Sequence, residues 1–177
     1  NFEMAATPEM QAIALSHRPH AACIVPERRE ERTTEGGLEV AANANWMGDY
    51  IAPLREAGCR VSLFIAADPA QIAAAARIGA PVIELHTGAY CDFHAEGDFI
   101  ARDAELARLI TGAKQAADLG LEVHMGHGLS YDNVAPIAAI PEVVELNIGH
   151  FLIGEAVFVG LPTAIAQMRA QMDAARG

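Results

Sequence analysis

The chain has 177 residues, of which 52% are hydrophobic and 20% are charged. This composition is typical of a globular domain and excludes a disordered chain, and the length predicts one domain. Because 23 acidic residues stand against 12 basic ones, for a net charge of −11, the charge argues against a nucleic-acid or anionic-membrane partner. A small anionic substrate stays open, since a local site can oppose the global charge.

The apolar runs and the cysteines indicate the cellular compartment of the protein. No run of about 18 apolar residues is free of charged residues, so no transmembrane helix is predicted. The cysteines are Cys23, Cys59 and Cys91, and none belongs to a CxxC pair. An odd cysteine count without such a pair is typical of a reduced protein. We therefore expect a cytoplasmic protein with no membrane partner.

Short apolar runs alternate with longer helical patterns along the chain. In chain order the predicted elements are strand 1–5, helix 8–17, strand 21–25, helix 38–57, strand 60–66, helix 69–78, strand 81–86, helix 99–119, strand 121–125, helix 131–139, strand 143–148 and helix 162–175. This alternation predicts a parallel α/β sheet with right-handed crossovers.

Capping residues support these boundaries. Thr7 and Asp68 each precede a proline, which is the pattern of an N-cap followed by the first helical position. Three helices are predicted to end at a glycine that opens the same G-x-x-V pattern, at Gly58, Gly79 and Gly120. The repeated pattern indicates the same helix-to-strand joint in successive βα units.

The ends of the last two strands favour a barrel over an open doubly wound sheet. No glycine-rich phosphate loop follows the first strand, whereas the last two strands end in GHG (126–128) and GH (149–150). A short apolar segment then precedes the final helix, as after strands seven and eight of a (β/α)8 barrel. We therefore predict a single (β/α)8 TIM-barrel domain over residues 1–177. It is represented by about six βα units, strands three to eight, plus a short extra helix near the C-terminus, and it lacks its first two units.

Strand alternation directs three carboxylates into the predicted barrel. Glu3, Glu84 and Glu145 each face opposite to apolar neighbours that suit the helix layer. Buried carboxyl groups are costly unless they are paired or used, and burial raises their pKa toward the range of acid/base catalysis. An ion pair or hydrogen bond is the alternative, and it is favoured for Glu145.

His127 lies between two glycines at the C-terminal end of a strand, where barrel enzymes hold their catalytic groups. After the last strand, the amides of Gly149 and His150 are predicted to bind a phosphate at a helix N-terminus. A simple helix entry is the alternative. His86 and His124 could join His127 on a metal, but no metal-ligand spacing is present, and we predict no metal.

Two long segments follow strands on the predicted catalytic face. Residues 26–37 carry alternating charges, two threonines and paired glycines, and residues 87–98 form the second segment. Loops of this length on that face are candidates for lids.

Several strings together resemble the pyridoxine 5′-phosphate synthase family. They are NFEMA, TTEGGL, ELHTG, GHGL and ELNIGH, in this order, and the resemblance runs from residue 1 to residue 177. It implies a (β/α)8 barrel that condenses 3-amino-2-oxopropyl phosphate with 1-deoxy-D-xylulose 5-phosphate to give pyridoxine 5′-phosphate, phosphate and water. It also implies a homo-octamer that needs neither a metal nor an organic cofactor.

The resemblance also implies residue roles. Glu3 is expected to be a proton acceptor, Glu84 to stabilise charge in the transition states, and His127 to be a proton donor. Thr33 is expected to contact the deoxyxylulose phosphate. The expected ligands of the aminooxopropyl phosphate are Gly128, Gly149 and His150.

Two alternative interpretations of the chain's function remain open. One is another phosphate-binding barrel enzyme, such as an aldolase or isomerase, which would usually carry a Schiff-base lysine or a metal cluster. The chain's only lysine is Lys114, in a polar helix, which disfavours an amine nucleophile. The other is a non-catalytic barrel fragment, which the upstream reading frame would distinguish.

Overall fold

The computed structural model describes residues 1–27 and 36–177 as alternating strands and helices. The strands are β1 (Phe2–Met4), β2 (Ala21–Ile24), β3 (Arg60–Ile65), β4 (Val82–His86), β5 (Glu122–Gly126) and β6 (Val143–Asn147). The helices are α1 (Pro8–His17), α2 (Ala44–Glu56), α3 (Pro69–Arg77), α4 (Gly88–Glu96), α5 (Phe99–Asp118), α6 (Val134–Ala138), α7 (His150–Val159) and α8 (Leu161–Arg176).

The sheet is parallel, and its strands lie side by side in chain order from β1 to β6. Each new strand is added at the same edge, as in a (β/α)8 barrel, whereas a doubly wound sheet reverses direction partway. Within the described ranges, β1 and β6 each pair with one neighbour only. The strand order is therefore the one that the barrel prediction requires.

The predicted caps form at the helix ends. The Thr7 hydroxyl accepts a hydrogen bond of 3.2 Å from the third amide of α1. The Asp68 carboxylate accepts two bonds, of 2.9 and 3.1 Å, from the first turn of α3. Left-handed glycines follow three helices, with φ of +88°, +78° and +80° at Gly58, Gly79 and Gly120. The joint inferred from the G-x-x-V repeat is thus the same turn used three times.

The prediction for residues 87–98 is wrong, because this segment is mostly helix α4 and not a lid loop. Gly97, with a φ of +77°, ends the helix in the left-handed conformation. The segment shows little helical amphipathicity, so the sequence pattern does not reveal the helix. Burial of Tyr90 and Cys91, at 0% and 6% exposure, stabilises it through contacts that are distant in sequence.

Two predicted helices are shorter in the structure. The predicted helix 38–57 begins only at Ala44, because the amides of Val40 and Ala41 donate to Oε1 of Gln71 at 2.8 and 3.0 Å. Those bonds hold this segment against α3 in an irregular conformation. The predicted helix 131–139 is reduced to α6. The short extra helix after the last strand is present as α7.

The two faces of the sheet differ in polarity. The outward face carries aliphatic side chains that pack under the helices and are fully buried, among them Ile24, Leu63, Ile65, Ile83 and Leu85. The inward face carries polar and charged side chains at alternate positions, among them Glu3, Cys23, Ser62, Glu84 and His124. The apolar core therefore lies between strands and helices, and the inward face is left for chemistry.

Helix α7 differs from the others because none of its residues is buried within the described chain. Val157 is 78% exposed and Phe158 is 86% exposed, although both are apolar. No helix in the two described ranges has the length and apolar character needed to cross a membrane.

The core predicts a clear contrast between two isoleucines. Ile83→Ala removes a fully buried side chain on β4 and should lower the free energy of unfolding by about 2–5 kcal/mol, because it leaves a cavity. Ile100→Ala truncates an 87% exposed side chain on α5 and should change the free energy of unfolding by less than about 0.5 kcal/mol. Urea unfolding of both variants measures the difference, and equal losses would contradict the assignment of the core.

Candidate active site

Glu84 occupies the centre of the inward face and is only 4% exposed. Its Oε2 accepts a hydrogen bond of 2.7 Å from Nδ2 of Asn147 on β6. The Cys23 thiol on β2 donates to the same oxygen at 3.6 Å. The other oxygen, Oε1, lies over Gly126 of β5, where any Cβ would collide with it. The carboxyl group is therefore held by residues from three other strands.

Burial raises the pKa of Glu84 to about 7, because removal from water penalises the charged form. The negative charge of Glu3 adds to this rise, and the hydrogen bond from Asn147 opposes it. A carboxyl group with this pKa exists in both protonation states near neutral pH. It therefore suits proton transfer or charge stabilisation better than an exposed glutamate would.

Glu3 lies on the inward face of β1, paired in register with Cys23 of β2. Its side chain is exposed, and its charge raises the pKa values of both Glu84 and Cys23. The structure thus places Glu3 and Glu84 on the same face of the sheet. Glu3 is exposed to solvent there, whereas Glu84 is buried.

His127 follows β5 and belongs to a histidine pair. Its ring centroid lies 4.8 Å from that of His86, which ends β4, with 33° between the planes. Phe64 of β3 packs edge-on against His86 at 5.0 Å and lies 6.2 Å from His127. Burial lowers the pKa of His86 to about 4, and the neighbouring His127 contributes to this change. His86 is therefore neutral at physiological pH, whereas His127 is solvent-exposed.

The predicted phosphate-binding residues lie on two neighbouring connections. Gly128 follows His127 with a φ of +86°, and a Cβ there would lie 2.9 Å from Cβ of Cys91. Gly149 is the N-cap of α7, and His150 is the first residue of that helix. All three are exposed. The backbone amides at the start of α7 have no side-chain cap, so they stay available to an anion.

Glu145 takes part in an ion-pair cluster on the inward face, with Arg60 and Glu122 from the first positions of β3 and β5. Arg60 lies 2.7 Å from Glu122 and 3.3 Å from Glu145. The ring of His124 lies 2.7 Å from Glu122 and 3.4 Å from Glu145. The ion-pair alternative for Glu145 is therefore the one that the structure supports.

The three histidines considered as metal ligands, His86, His124 and His127, do not lie together. His124 is held by the glutamates of the ion-pair cluster, whereas His86 and His127 lie at the C-terminal ends of their strands. Within residues 1–27 and 36–177, no three His, Cys, Asp or Glu side chains are arranged to hold a metal ion.

Thr33 and most of the predicted lid over residues 26–37 lie outside the described residues. The described end of that segment packs on the site. A Cβ at Gly36 would lie 3.3 Å from Cε1 of His86, and any Cβ at Gly37 would collide with the backbone of Ala66. The amide of Leu38 donates to the carbonyl of Phe64 at 2.8 Å. Glycines at these positions let the backbone reach the rim beside the histidine pair.

Sequence reasoning missed several residues that build this site. Asn147 and Cys23 hold Glu84, and Phe64 packs on the histidines. The sequence suggests a role for His86 as a metal ligand but does not indicate its contact with the ring of His127. Inward alternation was the available signal for Cys23, Phe64 and Asn147, since each shares the face of Glu84. No sequence pattern indicated that their atoms would meet.

Comparisons with known proteins agree on a family. Residues 1–174 match the family described as pyridoxal phosphate biosynthesis protein PdxJ. The chain is 78% identical to a pyridoxine 5′-phosphate synthase of Jannaschia sp. (strain CCS1) and 74% identical to one of Roseobacter denitrificans. Each alignment spans 176 residues, which is 99% of this chain and 71% of the relative.

Solved structures resemble this chain in fold. One is a HpcH/Hpal aldolase/citrate lyase family protein from Burkholderia cenocepacia, at a TM-score of 0.58 and 14% identity, covering 98% of this chain and 76% of that one. Another is a xylose isomerase domain protein from Planctomyces limnophilus, at 0.53 and 16%, covering 83% and 61%. At these identities the likeness concerns the fold alone, and it confirms the TIM-barrel-like α/β class.

The raised pKa of Glu84 predicts how stability depends on pH. The folded state keeps a proton on Glu84 up to about pH 7, whereas the unfolded chain releases it near its ordinary value of about 4.3. Between these values the folded state binds more protons, so the free energy of unfolding falls as the pH rises. The fall due to Glu84 should be complete above pH 7 and on the order of 3 kcal/mol.

Glu84→Gln mimics the protonated side chain and should lack this contribution. The measurement is the difference in free energy of unfolding between wild type and Glu84→Gln from pH 4 to pH 8, together with a carbon-13 NMR titration of the Glu84 carboxyl. A difference that does not change with pH would contradict the assignment.

Proposed function

The chain belongs to the PdxJ family of enzymes of pyridoxal phosphate biosynthesis, and from this membership we propose that it is a pyridoxine 5′-phosphate synthase. It condenses 3-amino-2-oxopropyl phosphate with 1-deoxy-D-xylulose 5-phosphate and releases pyridoxine 5′-phosphate, phosphate and water. The observation that carries the proposal is the buried Glu84 on the same face of the sheet as the exposed Glu3, whose charge raises its pKa, with His127 at the C-terminal end of β5.

The reaction needs several proton transfers around one pocket. The amine of one substrate condenses with the ketone of the other and water leaves. Phosphate is then lost, water adds, a carbon–carbon bond closes the ring, and water leaves twice as the ring becomes aromatic. Each of these steps adds a proton to an oxygen that departs or removes a proton from carbon or nitrogen. Groups with different pKa values are therefore required.

In the proposal, Glu3 and Glu84 have different roles in these proton transfers. Glu3, which is exposed on the inward face, accepts protons from the substrate. Glu84, held by Asn147 and Cys23 and with a pKa of about 7, stabilises the positive charge that develops on the condensing nitrogen. Its burial strengthens this interaction, because less water screens the charge.

His127 donates protons to the departing oxygens in the proposal. Its exposed imidazole at the end of β5 can reach a bound substrate. The neighbouring His86 is neutral because burial lowers its pKa to about 4. His86 therefore places no second positive charge beside the donor.

An aldolase mechanism through a lysine has less support. Lys114 is the chain's only lysine, and it is exposed on α5 in the outer helix layer. An amine there cannot form a Schiff base with a substrate on the inward face. Acid/base catalysis by the carboxylates and His127 is therefore the mechanism that these residues favour.

The phosphate of the aminooxopropyl substrate binds the amides of Gly128, Gly149 and His150 in this proposal. Thr33 contacts the deoxyxylulose phosphate, as the family resemblance implies. Two exposed glycines and the uncapped start of α7 support the first assignment. The family resemblance is the support for Thr33 and for a homo-octamer. The length of the segment 26–37 after a strand supports a lid, and the cysteine pattern supports a cytoplasmic protein.

Closure of the barrel is a further part of the proposal. The sheet order from β1 to β6 leaves each end strand with one partner among the described residues, and Val144 on β6 is 66% exposed. Unpaired strand edges expose backbone groups that favour further pairing. We propose that two more βα units lie between β6 and β1 in the active enzyme.

His127→Asn tests the catalytic proposal. It should lower the rate of pyridoxine 5′-phosphate formation by about a hundredfold or more, because a positioned proton donor is lost. The dissociation constants of both phosphorylated substrates should stay within a few-fold. Product formation followed by chromatography and substrate binding followed by calorimetry measure the two effects. The control is His17→Asn on the exposed end of α1, which should leave both unchanged; unaltered turnover in His127→Asn would exclude the donor role.

The phosphate assignment has a separate test. Crystals soaked in inorganic phosphate should show an anion within hydrogen-bond distance of the amides of Gly128, Gly149 and His150. Amide NMR shifts during a phosphate titration should be largest at the same residues. If the anion instead binds Arg28, Arg29 and Arg32, the loop between β2 and α2 is the phosphate clamp and the assignment is wrong.

A further inference from the structure

His127 has a backbone conformation that needs support from its surroundings. Its φ is +82°, in the left-handed region that a side chain with a Cβ disfavours. Arg18 also has a positive φ, of 47°, but it caps the end of α1, where that conformation is common. His127 follows a strand and has no such cap. Surrounding contacts must therefore compensate for the strain.

Thr87 supplies the closest of these contacts. Its hydroxyl lies 2.6 Å from the carbonyl oxygen of His127 and 2.7 Å from that of Gly126, so its one proton is shared between the two acceptors. Its own amide donates to the carbonyl of Gly126 at 2.9 Å. Thr87 is 0% exposed. The backbone on both sides of the His127 amide is thus bound to one buried residue.

Helix α4 begins after Thr87 and packs against the loop that contains His127 and Gly128. Thr87 is the N-cap of α4, and the Cys91 thiol one turn later donates to the His127 carbonyl at 3.6 Å. A Cβ on Gly128 would lie 2.9 Å from Cβ of Cys91, and a Cβ on Gly88 would lie 2.5 Å from Cε1 of His86. Only glycines permit this approach.

The far end of the loop is also bound to α4. Tyr90, which is fully buried, donates its hydroxyl proton to the carbonyl of Asn133 at 2.9 Å. The side chain of Asn133 accepts from the amide of Ser130 at 2.8 Å. The loop from β5 to α6 therefore has contacts with α4 at its start and at its end, and it cannot relax without disturbing buried bonds.

We propose that Thr87 is a positioning residue for His127. Its hydroxyl holds the left-handed backbone of His127 so that the imidazole faces the substrate pocket beside His86. Thr87 is fully buried and its hydroxyl bonds the backbone on both sides of the His127 amide, so in this proposal it acts through His127. The proposal rests on the proton-donor role given to His127 under the proposed function.

Thr87→Val and Thr87→Ser separate the hydroxyl from the packing. Valine has the same shape but donates no hydrogen bond, so kcat should fall about tenfold or more through misplacement of the imidazole, with KM for both substrates within about threefold. Serine keeps the hydroxyl and should retain kcat within about threefold. Thr111→Val is the control, because Thr111 is exposed on α5 and its hydroxyl donates to the carbonyl of Ala107 in the same helix, and it should behave as wild type.

A direct readout of His127 distinguishes positioning from general stability. The imidazole NMR signals of His127 should broaden or shift in Thr87→Val and match wild type in Thr87→Ser, without substrate present. Wild-type kcat together with unchanged His127 signals in Thr87→Val would overturn the proposal. If Thr87→Val does not fold, Thr87→Cys replaces it, because a thiol is a weaker donor of similar size; the same loss of kcat is expected, and wild-type kcat overturns the proposal.

The two sets of variants distinguish failure of the positioning role from failure of the donor role. Should His127→Asn retain full turnover while Thr87→Val alters the His127 signals, the donor role fails and the positioning contact stands. If His127→Asn is inactive and Thr87→Val leaves both kcat and the signals unchanged, the donor role stands and the positioning role fails.

Discussion

One buried carboxyl group organises the inward face of this sheet. Glu84 on β4 accepts hydrogen bonds from Asn147 of β6 and Cys23 of β2, and it lies over Gly126 of β5. Burial and the charge of Glu3 raise its pKa to about 7. Because a buried carboxylate without partners is costly, these neighbours are a condition for the site, and they couple four of the strands to the protonation state of one residue.

The division of the sheet into two faces makes this arrangement possible. The aliphatic side chains that stabilise the fold point to the helices, so the inward face can hold polar groups without weakening the core. Arg60, at the start of β3, pairs with Glu122 and Glu145, Glu84 lies in the middle of β4, and the histidine pair lies at the C-terminal ends of its strands. The structural ion pairs and the histidine pair therefore lie on either side of Glu84 along one face of the sheet.

Helix α4 links the fold to the histidine pair. The sequence pattern of this segment predicts a loop, but the segment is helical and buries Tyr90 and Cys91 against the rest of the chain. Thr87 at its start binds the strained backbone of His127, and the glycines beside it let the two connections touch. The reactive loop is thus supported from the preceding βα unit, and its conformation depends on contacts that residues 126–128 do not themselves contain.

The sequence alone determined the order of the six strands, the caps at Thr7 and Asp68, and the inward direction of Glu84, because these depend on local spacing and on neighbours within a few residues. Family motifs added the candidate residues and their roles. The tertiary structure alone decided that residues 88–96 are helical, that Glu145 pairs with Arg60, and that Thr87 holds His127. Each of these depends on atoms that are 36 to 85 residues apart in the chain. Such contacts follow from how strands and helices pack, and no local pattern of residues encodes that packing.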